Sequence, residues 1–432
     1  MCIRDSYNCL VLESIREFKQ IMPEKNIVIL GGGQAAANAI RAIRNLDQNC
    51  QVSLVSEEIS LPYERPPLSK KCITGEKTFE SCQFFDGEFY DNHNIELHLD
   101  RKVELVDFKN QKLLIDNQAS IGFDQLLIAT GSTNRVLAVD GLAPDQILYL
   151  RTMAESQAIV DQVQTKNRVL IIGGGFIGME LAASLRSLGK AVTVIEVGPQ
   201  LMGRAIPREI AGIVLEKHEQ AGVAVHLDTT VTTVMNEGDC YKAEMSNGNT
   251  VVFDLIIVGI GIRPNLDAFA DGDLRTDNGV VTDECGRTSI DNVYAAGDVA
   301  SFYHPHYDTH MRLESWKHAQ SHGMSVGKNM AGEPTVYSEI PWMWSEQYDY
   351  NLQLSGIANG YDSCIKRGDS PEEGIVYFYL RRNRIIGACG VSVGPKIGRD
   401  IRVAGMLAKA SQEVDPDVLS DTGQKLQSLL SK

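Results

Sequence analysis

Apolar residues along this chain fall into short unbroken runs, each followed by a glycine turn and then by a stretch of helical period. Asn26-Ile-Val-Ile-Leu30 is such a run, and it breaks on Gly31-Gly-Gly-Gln-Ala-Ala36. Ala36, Ala39, Ile40, Ile43 and Leu46 then recur at three- and four-residue steps, which predicts a helix with one apolar face. Val52-Ser-Leu-Val55 predicts the next strand, ending at Glu57 and Glu58. The same pattern returns further on. Arg168-Val-Leu-Ile-Ile172 leads into Gly173-Gly-Gly-Phe-Ile-Gly178, a helix through Leu181, Leu185 and Leu188, and a strand Val192-Thr-Val-Ile195 ending on Glu196. Leu127-Ile-Ala-Thr-Gly131, Leu255-Ile-Ile-Val-Gly-Ile-Gly261 and Val293-Tyr-Ala-Ala-Gly-Asp298 read as further buried strands that end in glycine turns. After Pro341 the rhythm changes. Gly374-Ile-Val-Tyr-Phe-Tyr-Leu380 and Arg384-Ile-Ile-Gly-Ala388 predict strands, and Val403, Leu407 and Ala410 a closing helix.

Each glycine turn sits between a strand and a helix, with a carboxylate ~20 residues on, which is the dinucleotide-binding fingerprint. Gly31 and Gly33 in one copy, and Gly173, Gly175 and Gly178 in the other, let backbone approach a pyrophosphate at a helix N-terminus. Ala36 replaces the third glycine, a small enough change to keep the helix close to the strand. The prediction is an α/β protein with two Rossmann-like dinucleotide-binding domains and a small α+β C-terminal domain. One dinucleotide would be a bound flavin and the other a diffusible nicotinamide. Glu196 suits a free ribose 2′-hydroxyl and repels a 2′-phosphate, and no arginine follows it before Arg204, so NADH is favoured over NADPH.

A length of 432 residues allows about three domains. The net charge of −15 argues against nucleic-acid binding, and the longest apolar run, Leu255–Ile262, falls far short of the ~20 residues of a membrane span. Nine cysteines without any Cys-x-x-Cys give neither a disulfide framework nor a zinc ribbon, which points to a reducing, cytoplasmic setting. Residues 1–25 lack a basic start followed by an apolar core, so they do not read as a secretion signal. Leu12, Ile15, Phe18 and Met22 could stripe a short helix there, but the segment is expected to be a tail outside the fold. Five of the nine histidines lie between His304 and His322, without a spacing that completes a known metal site, so no metal is expected.

Taken in order, the two glycine loops and the three strand-to-glycine stretches resemble the two-dinucleotide flavoprotein reductases over Asn26 to about Gly332. In that superfamily the Asp at the position of Asp298 bonds the flavin ribityl chain, and Leu127–Gly131 and Leu255–Gly261 are crossover strands between the FAD and NAD domains. Leu61-Pro-Tyr-Glu-Arg-Pro-Pro-Leu-Ser-Lys70 is similar to a segment of bacterial dioxygenase and cytochrome P450 ferredoxin reductases, shared with monodehydroascorbate reductases. The disulfide-reducing branch carries a cysteine pair in this region. Here Cys72 stands alone, with Cys82 the nearest other cysteine, and reads as a packed or surface thiol. Arg312-Leu-Glu-Ser-Trp316 and Pro341-Trp-Met-Trp-Ser-Glu-Gln-Tyr348 resemble two further motifs of the ferredoxin-reductase branch, with Glu346 for the usual Asp. Without the resemblance, the three tryptophans would read as core aromatics.

The resemblance implies residues 26–136 and 266–337 as the FAD domain, 137–265 as the NAD domain and 338–432 as the C-terminal domain. It implies Gly31, Gly33, Ala35, Ala36, Glu57, Arg65, Lys70, Val103, Thr130, Gly131, Arg151, Gly297, Asp298 and Trp316 as FAD contacts. Glu58 competes with Glu57 for the ribose, and Arg151 either neutralises the pyrophosphate or caps a helix. For NADH it implies Gly173, Gly175, Ile177, Gly178, Glu180, Glu196 and Gly261. Lys70 and Glu180 form an ion pair by the flavin in similar reductases, and Glu180 is expected in the first turn of its helix. Trp344 is expected where the acceptor docks. The implied reaction is hydride transfer from NADH to FAD, then single-electron transfer to a [2Fe–2S] ferredoxin or a rubredoxin, by a monomer or homodimer. Two other readings stay open: reduction of a small acceptor, as in monodehydroascorbate reductase or NADH peroxidases and oxidases, and an interaction protein resembling apoptosis-inducing factor. Arg381-Arg-Asn-Arg384 and Lys366-Arg367 are the candidate basic docking elements in an otherwise acidic chain.

Overall fold

Strand Asn26–Leu30 buries four of its five positions because it lies in the middle of a sheet covered on both faces. A computed structural model describes residues 25–116, 119–203, 205–270 and 272–431; residues 1–24 of the expected tail and Arg204 lie outside them, while Lys25 is tied to the fold by a hydrogen bond to the Met330 carbonyl at 2.8 Å. The first sheet is wholly parallel, in the order Val293–Ala295, Gln125–Ile128, Asn26–Leu30, Gln51–Val55, Ile95–His98. Leu30 pairs with both Val55 and Ile128, and Ile128 with Ala295, so these strands end level. The order reverses beside Asn26–Leu30, and such a switch point opens a crevice at the carboxyl ends of the strands.

The second parallel sheet repeats the plan, in the order Ala224–His226, Ala191–Ile195, Arg168–Ile172, Leu255–Val258, Ile147–Leu148. Each copy also carries a three-stranded antiparallel insert before its returning strand: residues Val103–Gly122 in the first and Val231–Phe253 in the second. Leu127 and Leu255 do not belong to crossover strands, as the resemblance implied. Gln125–Ile128 and Leu255–Val258 are buried at every position and sit inside the two sheets. The crossover is the next segment in each case, Ser132–Asn134 paired antiparallel with Ile262–Pro264.

A five-stranded antiparallel sheet follows, ordered Trp342–Gln347, Tyr350–Gly356, Arg384–Val393, Ile375–Arg381, Ser363–Arg367, with helix Gly398–Ala410 against it. Arg367 is not a docking residue. It is buried, pairs with Asp400 at 2.9 Å and donates to the carbonyls of Leu419, Asp421 and Gln424, which ties the chain end to the sheet. The stretch after the Gly-Asp motif, with its histidines, is built into the fold. Ala300–His304 is a strand paired with Thr309–Met311, and His304 is fully buried against Phe302 and Tyr337.

Helix Gln34–Leu46, which follows the first glycine turn, crosses helix Trp316–Met330 at close range. A Cβ on Gly323 would lie 2.3 Å from the carbonyl oxygen of Ala35. Backbone cannot yield there without separating the helices, so Gly323→Ala is expected to destabilise the protein by about 2 kcal/mol. Thermal unfolding measures this, and an unchanged midpoint would show that the crossing is slack.

Candidate functional site

A cavity of about 780 Å³ opens where the first sheet's strands end and runs toward the second glycine turn and the last domain. Both turns are built alike. Gly31 (φ +114°) and Gly173 (φ +113°) each lie against the end of the neighbouring strand, where a Cβ would come within 2.2 Å of Ala129 O and 2.3 Å of Gly259 O. Gly33 and Gly175 are the N-caps of the helices that follow. Neither helix has a side-chain cap or an acidic residue in its first turn, so their leading N–H groups are left for an anion.

Most of the expected flavin residues line this one space. Gly31, Gly33 and Ala35 come from the first turn and its helix, and Glu57 from the next strand end. Arg65, Lys70, Val103, Thr130, Gly131 and Arg151 also line it. Gly297, Asp298, Trp316 and Trp344 close it. Gly175, Ile177, Glu180 and Gly261 reach it from the nicotinamide side. Four expected residues stand outside. Ala36 is buried in the helix interior, and Gly173 shapes its turn behind the wall. Gly178 packs on Gly173, whose carbonyl oxygen a Cβ would approach to 2.0 Å. Glu196 lies beyond the turn and accepts hydrogen bonds from the amides of Gly174 (2.6 Å) and Gly198 (2.7 Å).

Sequence reasoning missed Gln34, whose amide nitrogen and oxygen are both buried on the cavity wall without a partner. Ser132 Oγ, Thr133 Oγ1 and Arg151 Nε on the same wall are also unpartnered. Buried polar atoms are normally satisfied, so this set fits a polar ligand lying along the cavity. Arg151 does not cap a helix. Thr152 and Glu155 form the capping box of helix Met153–Val163, and the Arg151 guanidinium pairs with Asp298 at 3.1 Å. Of the two competing carboxylates, Glu58 is engaged by Arg65 at 2.7 Å and by the Tyr63 hydroxyl, while Glu57 is exposed.

Lys70 and Glu180 meet at 2.8 Å, with side chains 17% and 6% exposed. Glu180 is the fifth residue of helix Phe176–Ser187, not in its first turn, because the glycine turn ends at Gly175 and the helix begins one residue later. Complementing the helix N-terminus is therefore not its role. Its carboxylate accepts from Ser69 and Lys70, neighbours in sequence, and from Ser345 of the last domain. Trp316 and Trp344 stand edge to face at 5.7 Å and 87°, and Trp342 stacks on Trp344 at 5.3 Å.

Cys72 is not alone in space. Its sulfur lies 3.6 Å from that of Cys82, because the turn between them folds back, and burial pushes the Cys72 thiol up to about 12. Neither cysteine lines the cavity. Among the described residues, no three of His, Cys, Asp or Glu converge as metal ligands, and no helix is long and apolar enough to cross a membrane.

Two glycine turns of one design, facing one elongated cavity, define an oxidoreductase of the two-dinucleotide class. A family model described as pyridine nucleotide-disulphide oxidoreductase matches residues 25–323, and a second, described as reductase C-terminal, matches 342–430. The chain belongs to the pyridine nucleotide-disulphide oxidoreductase family. It is an FAD-dependent oxidoreductase with NAD(H) as its second dinucleotide. It is 32% identical over 404 residues to the ferredoxin–NAD(+) reductase component of the anthranilate 1,2-dioxygenase system of Burkholderia cepacia, covering 93% of this chain and 98% of that one. The crystal structure of the ferredoxin reductase for the CYP199A2 system of Rhodopseudomonas palustris superposes with a TM-score of 0.88 at 31% identity, over 94% of this chain and 99% of that one. A covalent putidaredoxin reductase–putidaredoxin complex is similar with a TM-score of 0.89 at 28% identity, over 95% and 99% of the two chains.

Proposed function

We propose that this protein takes hydride from NADH and passes electrons singly to a [2Fe–2S] ferredoxin that serves an oxygenase, with a rubredoxin as the alternative acceptor. The observation that carries the reading is the buried Lys70–Glu180 pair on the cavity wall that also holds Gly175 and Ile177, in the same space as Trp344. When bound, FAD converts a two-electron hydride into single electrons, and the protein supplies orientation and electrostatics. Arg151 and the first helix N-terminus would hold the pyrophosphate, Glu57 the ribose and Asp298 the ribityl chain. Lys70, fixed by Glu180, would place a positive charge at the hydride-accepting edge, and closure of the cavity by Trp316 and Trp344 would exclude water there. We assign residues 26–136 and 266–337 to FAD, 137–265 to NADH and 338–432 to closure of the site and acceptor docking, in the cytoplasm. Cys72 stands outside the cavity, which disfavours a peroxidase-like sulfenate.

Trp344→Ala tests the exit route. Flavin bleaching by NADH in an anaerobic stopped-flow is expected to stay close to wild type, while steady-state reduction of an added ferredoxin falls and ferricyanide reduction suffers less. Equal loss in all three assays would make Trp344 a packing residue.

Glu196 is expected to set coenzyme choice. Two loop amides fix its carboxylate, and a fixed negative charge there would repel a 2′-phosphate, so Glu196→Gln should raise the NADPH-to-NADH ratio of kcat/KM on the order of tenfold. An unchanged ratio would mean that the ribose is read elsewhere.

A further inference from the structure

The Glu180 carboxylate sits at the end of a one-directional series of hydrogen bonds that starts outside the cavity. Its Oε2 takes the Ser69 hydroxyl and the Lys70 ammonium, and its Oε1 takes the Ser345 hydroxyl at 2.7 Å. A carboxylate only accepts, so Ser345 donates and keeps its lone pairs for another donor. That donor is Gln347 Nε2 at 3.1 Å, with Met202 Sδ at 3.8 Å on the same nitrogen. Reversing the amide would set its oxygen against two acceptors, so Oε1 must face the other way, toward His218 Nε2 at 2.8 Å. His218 therefore carries its proton on Nε2, and its bare Nδ1 faces the Tyr348 hydroxyl at 3.5 Å. Ser345, Gln347 and His218 are each no more than 4% exposed, and none lines the cavity.

Three elements contribute to this series. Ser345 and Gln347 lie two apart on edge strand Trp342–Gln347 and point to one face, while Trp344, just before Ser345, points to the other, toward the cavity. His218 belongs to helix Arg208–Gln220 of the second dinucleotide unit. Burial holds the His218 imidazole down to about 4, so it stays neutral across the working range.

We infer that Ser345, Gln347 and His218 are positioning residues for hydride transfer: they fix the Glu180 carboxylate, and through it the Lys70 ammonium, at the hydride-accepting edge. This inference rests on the reading that places the Lys70–Glu180 pair beside the flavin. Ser345 holds the oxygen of Glu180 that Lys70 does not, so the carboxylate cannot swing away from the pair. Gln347 keeps the Ser345 proton aimed at Glu180, and His218 keeps Gln347 in the orientation that donates.

The test is the limiting rate of anaerobic flavin reduction, with NADH affinity taken from its concentration dependence. Ser345→Ala is expected to slow the limiting rate about tenfold, the scale of one lost hydrogen bond to a charged group, with NADH affinity changed less than about twofold. Ser345→Thr, which keeps the hydroxyl, should restore most of the rate. Gln347→Leu and His218→Phe should each slow it about threefold, through groups that touch no reactant. The flavin-free protein gives a separate readout: histidine ¹⁵N NMR should show His218 as the Nε2–H tautomer, and as a mixture in Gln347→Leu. A wild-type rate in Ser345→Ala, an equal loss in Ser345→Thr, or an Nδ1–H tautomer in the parent protein would overturn the inference. Glu180→Gln separates the two levels. If it slows reduction and Ser345→Ala does not, only the positioning role falls; if it leaves the rate unchanged, the reading of the pair falls and the inference with it. Adding Ser345→Ala to Glu180→Gln should cost nothing further, because the hydroxyl acts through the carboxylate.

Discussion

Asp298→Ala is expected to elute nearly colourless and to need roughly a hundredfold more FAD for half-saturation. Asp298 is 14% exposed and pairs with Arg151 at 3.1 Å, so its loss removes an acceptor from the cavity and leaves a guanidinium without its counter-charge. Losing one hydrogen bond to a charged group and unpairing a partly buried ion together amount to about 3 kcal/mol, which is the hundredfold. Titrating apoprotein with FAD and following flavin fluorescence measures the shift. A dissociation constant within threefold of wild type would show that the Gly-Asp turn does not hold the ribityl chain. Asp298→Asn, which keeps an acceptor oxygen, should lie between the two.

Lys70→Met is expected to slow flavin reduction by NADH about a hundredfold, as removal of a preorganised charge at a reacting edge does. It should also lower stability by about 3 kcal/mol or more, because Glu180 is left buried without its cation. These two effects separate in the double variant Lys70→Met with Glu180→Leu. Removing both charges should recover most of the stability and none of the rate. If rate and stability return together, the pair is a structural ion pair and no more. Stopped-flow and thermal unfolding on the same preparations decide it.

How far the chain could be read before its structure depended on the range of each signal. Both dinucleotide units were legible because strand, glycine turn and helix are local, and Gly31 and Gly173 mark positions that no side chain could occupy. The antiparallel inserts at Val103–Gly122 and Val231–Phe253 escaped, since short half-buried strands leave little periodicity over such lengths. The site residues came largely from motif resemblance, and the cavity gathers most of them. Partners that depend on tertiary packing were invisible. Nothing near Glu180 points to Ser345, nothing near Cys72 shows the fold-back that brings Cys82 within 3.6 Å, and Arg367 beside Lys366 reads as surface until its four partners are seen. Gln34 carried no signal at all, because an amide after a glycine turn is ordinary until its burial without partners is known.

The bond between Ser345 and Glu180 spans 165 residues of chain, and that separation sets a clock on the ribosome. At roughly 5 to 20 residues per second, about 10 to 30 seconds pass between synthesis of the carboxylate and arrival of the strand that covers it. During that interval both dinucleotide units can fold, but one face of their junction stays in water, and Glu180 is hydrated rather than enclosed. Final enclosure of the site is therefore a late, post-docking event in the life of each molecule. A translation pause or a truncation after Met330 but before residue 345 leaves a chain that carries both glycine turns yet presents an open, wet junction to the cell.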